Sequence, residues 1–124
     1  MKDTLTILKE AYALISDRNR WTTYTAARNE FGVAVHPWSP EGTRFCAAGA
    51  CWHVSEVKDM YDRSARSVAE AHEELRRTLG RHIAYANDGP NGYEVICEAF
   101  RDTIARLSPA KKPIKQDNRE LVEA

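Results

Sequence analysis

From Cys46 to Ala50 the chain reads Cys-Ala-Ala-Gly-Ala, a run with almost no side-chain bulk inside a segment that otherwise reads as helix. A helix this thin lets neighbouring backbone approach on several faces, so it belongs at the centre of a packed assembly. The Thr43 hydroxyl is available to cap it. Phe45, Cys46, Ala47, Gly49, Ala50 and Trp52 or His53 then carry it towards Ser55. Any fold for this chain has to be built around that element.

Three amphipathic segments can surround it. Leu5, Leu8, Tyr12 and Ile15 recur at helical spacing, with Lys9, Glu10, Asp17 and Arg18 off the stripe, which predicts a first helix over about residues 4 to 18, capped by Asp3 or Thr4. Ala65, Val68, His72, Leu75 and Leu79 form a second stripe, and Gly80 supplies its stop. Tyr93, Ile96, Cys97, Phe100, Ile104 and Leu107 form a third, with Asn91 as cap and Glu94 at the capping-box position. Between the first helix and the thin one, Trp21 to Arg28 is rich in β-branched and aromatic residues, and Asn29-Glu30-Phe31-Gly32 leads into Val33-Ala34-Val35, which predicts a short hairpin. His36 to Gly42 holds two prolines and reads as a loop. Asn87 to Gly92 reads as a turn cluster.

The expected architecture is therefore α+β: a mostly helical single domain over residues 1–108, with about four main helices and one short β-hairpin. A chain of 124 residues can bury one continuous core of this kind. Residues 109–124 lack periodicity and apolar content, and are expected to form a mobile C-terminal tail.

Charge narrows the function classes. Eighteen basic and eighteen acidic residues leave no net field to draw the protein to nucleic acid or an anionic membrane. No membrane-length apolar run and no signal-peptide pattern is present, so the protein is expected in the cytoplasm. Cys46, Cys51 and Cys97 make an odd number without a C-x-x-C pair, so reduced thiols are expected and neither a disulfide framework nor a metal site is indicated. A pairing of Cys51 with His53 lacks the further ligands zinc requires. The residues imply no cofactor.

The candidate chemistry passes through Cys46. In the first turn of a helix, unpaired amides and the dipole favour a thiolate, and His53, seven residues on and about 10 Å along the axis, shares its face. Asn87 or Asp88 would orient a histidine, whether His36, His53, His72 or His82. The simpler reading is a packed core cysteine. His72, within an apolar stripe, reads as a core histidine with one satisfied hydrogen bond, and His82 as exposed. Trp38, between prolines, reads equally as an exposed anchor, which with His36 and Arg28 marks a candidate binding surface for a protein or small ligand, or as a lid over the core beneath its loop. Arg76, Arg77, Arg81 and His82 cluster near a helix end, where cations complement the dipole and Glu70, Glu73 and Glu74 blunt their field.

The order of these features resembles a family of small uncharacterised proteins from bacteria and their phages. In that family a tryptophan precedes an Ala-Arg-Asp-like hairpin, then a Trp-Cys-Ala-x-Gly-Ala-like helix, a Trp-Asn-Asp-like loop and a closing helix. Here Trp21, Ala26-Ala27-Arg28-Asn29 with Gly32, Phe45-Cys46-Ala47-Ala48-Gly49-Ala50 and Asn87-Asp88 occupy those places. Phe45 and Ala86 stand where the pattern often has tryptophan. The resemblance implies an architecture that brings the Cys46 helix near the Asn87-Asp88 loop, and adds no reaction. The leading expectation is a non-enzymatic binding or regulatory protein acting through the hairpin and the Trp38 loop. The alternatives are a cysteine-dependent hydrolase or transferase with Cys46 as nucleophile, and a nucleic-acid-associated factor using Arg76, Arg77 and Arg81.

Overall fold

A computed structural model of the chain describes residues 2–59 and 61–109. The tail expected over residues 109–124 lies, from residue 110 on, outside the described residues. The α+β class expected from the sequence is observed: the described residues form five α-helices and a small antiparallel sheet.

Helix α1 (Thr4–Ile15) begins at Asp3, whose carboxylate accepts the Thr6 amide at 2.8 Å. It buries Ile7, Leu8, Ala11 and Ile15 and stops three residues short of the expected end. Asp17 there starts a separate 3-10 turn, Arg18–Arg20, by accepting from the Asn19 amide.

Strand β1 (Ala27–Arg28) has partners on both sides. The expected hairpin forms, with the Val35 amide donating to Ala27 O at 3.0 Å and the Asn29 amide to Val33 O at 2.9 Å. On the other side β1 pairs with β2 (Arg44–Phe45), in the register Ala27↔Phe45 and Arg28↔Arg44. Arg44 and Phe45, expected in a helix capped by Thr43, thus belong to a strand instead. The Thr43 amide donates to Arg28 O and the Cys46 amide to Ala26 O, so the backbone through Cys46 is committed to the strand.

Helix α2 (Ala47–Ser55) therefore starts at Cys46, which is its cap, with Ala47, Gly49, Ala50 and Cys51 buried. Its central position is as expected, with α1, α3 (Ala65–Leu79) and α4 (Ile83–Asp88) all packed against it. Gly49 shows why the run is small: a Cβ there would lie 1.8 Å from the Ala26 carbonyl oxygen. Helix α3 buries Val68, Ala71 and Leu75 and ends on Gly80 at φ 71°, as predicted.

Two corrections follow along the chain. Asn87 and Asp88, read as part of a turn, are the last residues of α4, a short helix capped by His82, whose Nδ1 accepts from the Ala84 amide at 3.1 Å. Helix α5 (Gly92–Leu107) follows Asn91, which takes a left-handed conformation and makes no side-chain cap, while Glu94 pairs with Arg18 at 3.1 Å and forms no capping box. The predicted stripe on α5 is observed, with Ile96, Cys97 and Phe100 buried. No helix among the described residues is long and apolar enough to cross a membrane.

Candidate binding cleft

Asn87 is the side chain on which the site is built. Almost fully buried, it accepts at Oδ1 from the Trp21 indole at 3.1 Å and from the Ala47 amide at 3.0 Å. Its Nδ2 donates to Thr22 O and to Asp88 Oδ1. One amide thus ties the Trp21–Thr22 segment, the start of α2 and the end of α4 together, with both its oxygen and its nitrogen committed to protein groups. Gly92 packs against the same corner, where a Cβ would lie 2.1 Å from Asn87 O.

Next to this knot Asp88 is only half-buried, and its Oδ1 also accepts the Tyr24 amide at 3.0 Å. Tyr24 has φ 67° and an exposed ring, so Asp88 holds a residue in a backbone conformation that side chains of its kind rarely adopt. The segment Tyr24–Ala26, the start of α2, one face of α3 and the start and end of α4 enclose a cleft of about 490 Å3 open to solvent. Cys46, His72, His82, Asn87 and Asp88 all border it. The proximity of Cys46 to Asn87-Asp88 that the resemblance implied is observed.

The Cys46 thiol is not prepared as the first-turn argument suggested. It accepts the Gly49 amide at 3.3 Å, but burial pushes the thiol up, the Asp88 charge adds to the rise, and backbone amides only offset part of it. No histidine nitrogen hydrogen-bonds to Sγ among the described residues. His53 instead points its Nδ1 at Pro37 O, 2.9 Å away, and lies tilted on the Phe45 ring on a different groove of the surface. The shared face expected for Cys46 and His53 assumed helical geometry at residue 46, and the cap residue is extended at ψ 176°. His72 donates Nε2–H to Ala48 O at 3.1 Å, and burial pulls its pKa down, so it is neutral. It satisfies the single hydrogen bond expected of it and borders the cleft as well.

The remaining candidates lie elsewhere. Of the two readings of Trp38 the lid is the one observed: half-buried, it stacks on His36 at 4.9 Å and meets Trp52 edge-on at 5.5 Å, closing the loop over the core. His36 is exposed. Arg28 is spent locally, donating to Thr22 Oγ1 at 2.9 Å, Gly32 O at 3.0 Å and Thr23 O at 3.2 Å. Arg76 and Arg77 pair with Glu73 and Glu74. Sequence reasoning missed Tyr24 and Glu73 as cleft residues. The one available signal was Trp21, since a partly buried indole needs an acceptor and its acceptor lies beside the cleft.

Fold and cleft together define a small helical α+β domain with a hairpin on one side and an open, mostly apolar cleft beneath it. The chain belongs to DUF6197, a family of unknown function whose model matches residues 1–106. No curated protein matches it, and neither does any solved structure.

Proposed function

We propose that the domain is a non-enzymatic binding protein that docks on a protein partner through the tip of its hairpin. The carrying observation is that Phe31 and Val33 are 81% and 58% exposed on a tip that is fixed from within. Asn29 Oδ1 accepts both the Phe31 amide at 2.9 Å and the Val33 amide at 3.0 Å. The Gly32 amide returns to Asn29 O, and Arg28 binds Gly32 O. Two apolar side chains held out by a rigid turn lose little entropy on docking, which is how a small surface becomes an anchor. The Trp38 loop contributes less than the sequence suggested, because its indole is packed inward. A cytoplasmic setting, expected from the lack of a membrane-length apolar run and of a signal-peptide pattern, and an origin in bacteria or their phages, implied by the order of motifs, belong to the same proposal.

A cysteine hydrolase or transferase has less support, since the Cys46 thiol is raised and lacks a histidine partner. A nucleic-acid factor has less again, with Arg76 and Arg77 neutralised by Glu73 and Glu74.

The test is a photo-crosslinking residue at position 30 of the full chain, in cells that naturally make the protein. A discrete adduct that disappears in Phe31→Asp, with folding unchanged, is expected. Adducts indifferent to Phe31 would overturn the reading.

A further inference from the structure

The hairpin tip leaves the cleft beside Asp88 without a role. Its volume, about 490 Å3, falls within the range of about 300 to 1,000 Å3 typical of sites for small organic molecules. Ala48, Ala69, Ile83 and Ala84 give it apolar walls, and the exposed Tyr24 ring stands at its rim.

The charges around it cancel, with one exception. Arg76 grips Glu73 through two bonds of 2.9 and 2.7 Å, which hold the Glu73 carboxyl well below its usual range and leave the pair neutral. His82 spends its Nδ1 on the Ala84 amide. His72 is kept neutral by burial, and so is the Cys46 thiol. Asp88 remains. Its Oδ1 is taken by the Tyr24 amide and Asn87 Nδ2, and it forms no ion pair among the described residues. A half-buried carboxylate without a counter-ion therefore borders an apolar cavity.

We propose that this cleft binds a small organic cation, a molecule with an aromatic or aliphatic body and one amine group, the body lying against Ala48, Ala69 and Ile83 and the ammonium donating to Asp88. The cation supplies the charge the cavity lacks, and its apolar body displaces water from walls that cannot hydrogen-bond. The Tyr24 ring offers a π face to the same charge. This site is independent of the hairpin tip, and neither proposal needs the other.

The probes are 2-phenylethylamine and 3-phenylpropionate, which share a body and differ in the sign of the charged group. Each is titrated into the full chain while backbone amide resonances are followed by NMR. The amine is expected to move the amides of Ala48, Ile83 and Ala84 and to bind about tenfold more tightly than the carboxylate. Asp88→Asn keeps an oxygen for Tyr24 and is expected to erase that preference. Ala84→Phe, at an exposed position, fills the cleft and is expected to abolish binding of both. Equal affinity for the two probes, shifts confined to other surfaces, or a preference that survives Asp88→Asn would each overturn the proposal. The comparison of probes on the unaltered chain decides the matter even if a variant fails to fold.

Discussion

The corner around Asn87 and the tip around Asn29 are built by the same device and put to opposite ends. In each, a single asparagine side chain accepts from two backbone or ring N–H groups: the Trp21 indole and the Ala47 amide at Asn87, the Phe31 and Val33 amides at Asn29. At Asn87 the bonds to Trp21, Thr22 and Ala47 join segments distant in sequence around a side chain only 1% exposed, so losing it leaves the Ala47 amide and Thr22 O buried without that partner. At Asn29 they close a turn of five residues in solvent, and what they fix is the outward direction of Phe31 and Val33. One asparagine holds the fold together, and the other shapes a surface. Substitutions at the two places should therefore separate stability from binding.

The largest loss is expected next to the buried corner, at Gly49. Alanine favours a helix interior over glycine by about 1 kcal/mol, so propensity alone predicts stabilisation by Gly49→Ala. The added Cβ would sit 1.8 Å from Ala26 O, which itself accepts the Cys46 amide. Relieving that contact means pulling α2 from β1, at a net cost of about 4 kcal/mol or outright failure to fold. Urea denaturation gives the sign directly, and a stabilised variant would show that the approach of the two backbones is not what fixes the core. Asn87→Ala comes next: the Trp21 indole, the Ala47 amide and Thr22 O lose their partner, for a loss of about 3 kcal/mol in the same measurement. A loss below about 1 kcal/mol would mean water replaces the side chain, and the contrast with the hairpin tip would collapse.

Helices α1, α3 and α5 were legible in the sequence because each has one solvated face, so charge and apolar stripe alternate with the helical period. Helix α2 was legible for the opposite reason, its lack of bulk. Strand β2 was not: Arg44 and Phe45 are defined by amides that find Arg28 O and Ala26 O, and no local pattern reports a partner so far back in the chain. Helix α4 escaped because it runs only from Ile83 to Asp88 and is capped by a histidine, outside the usual set of capping residues. The site was visible in part. Cys46, Asn87 and Asp88 were singled out, but their nearness followed from a resemblance in motif order, while the split between a saturated Asn87 and an Asp88 with no ion pair among the described residues depends on contacts no spacing encodes.

His72 gives the pH-dependent form of the comparison, because it is partly buried between α3 and α2 yet borders the cleft. Burial lowers its pKa below the ordinary 6.5, outweighing the opposing hydrogen bond to Ala48 O. The unfolded chain then binds more protons than the folded one as pH falls. The contribution is complete above pH 6.5 and is lost progressively as pH drops through that value towards the folded pKa. Stability should decline between pH 7 and 5, and His72→Gln, which keeps a donor for the carbonyl, should flatten that part of the profile. An unchanged slope would assign the decline to another group.

The smallest effect on stability is expected at the tip, where it is the most informative. Phe31→Ser removes a ring that is 81% exposed, so little burial is forfeited and stability should change by no more than about 0.5 kcal/mol. The Asn29 bonds to the Phe31 and Val33 amides involve backbone and survive the change. A loss of more than about 1 kcal/mol would mean that the ring packs on the domain in solution and is unavailable to a partner. A neutral result would show that the ring contributes little to the isolated fold and is free for the docking proposed for the tip. The Asn29 bonds would then fix only the direction in which Phe31 and Val33 stand, which is what the docking proposed for the tip requires of them.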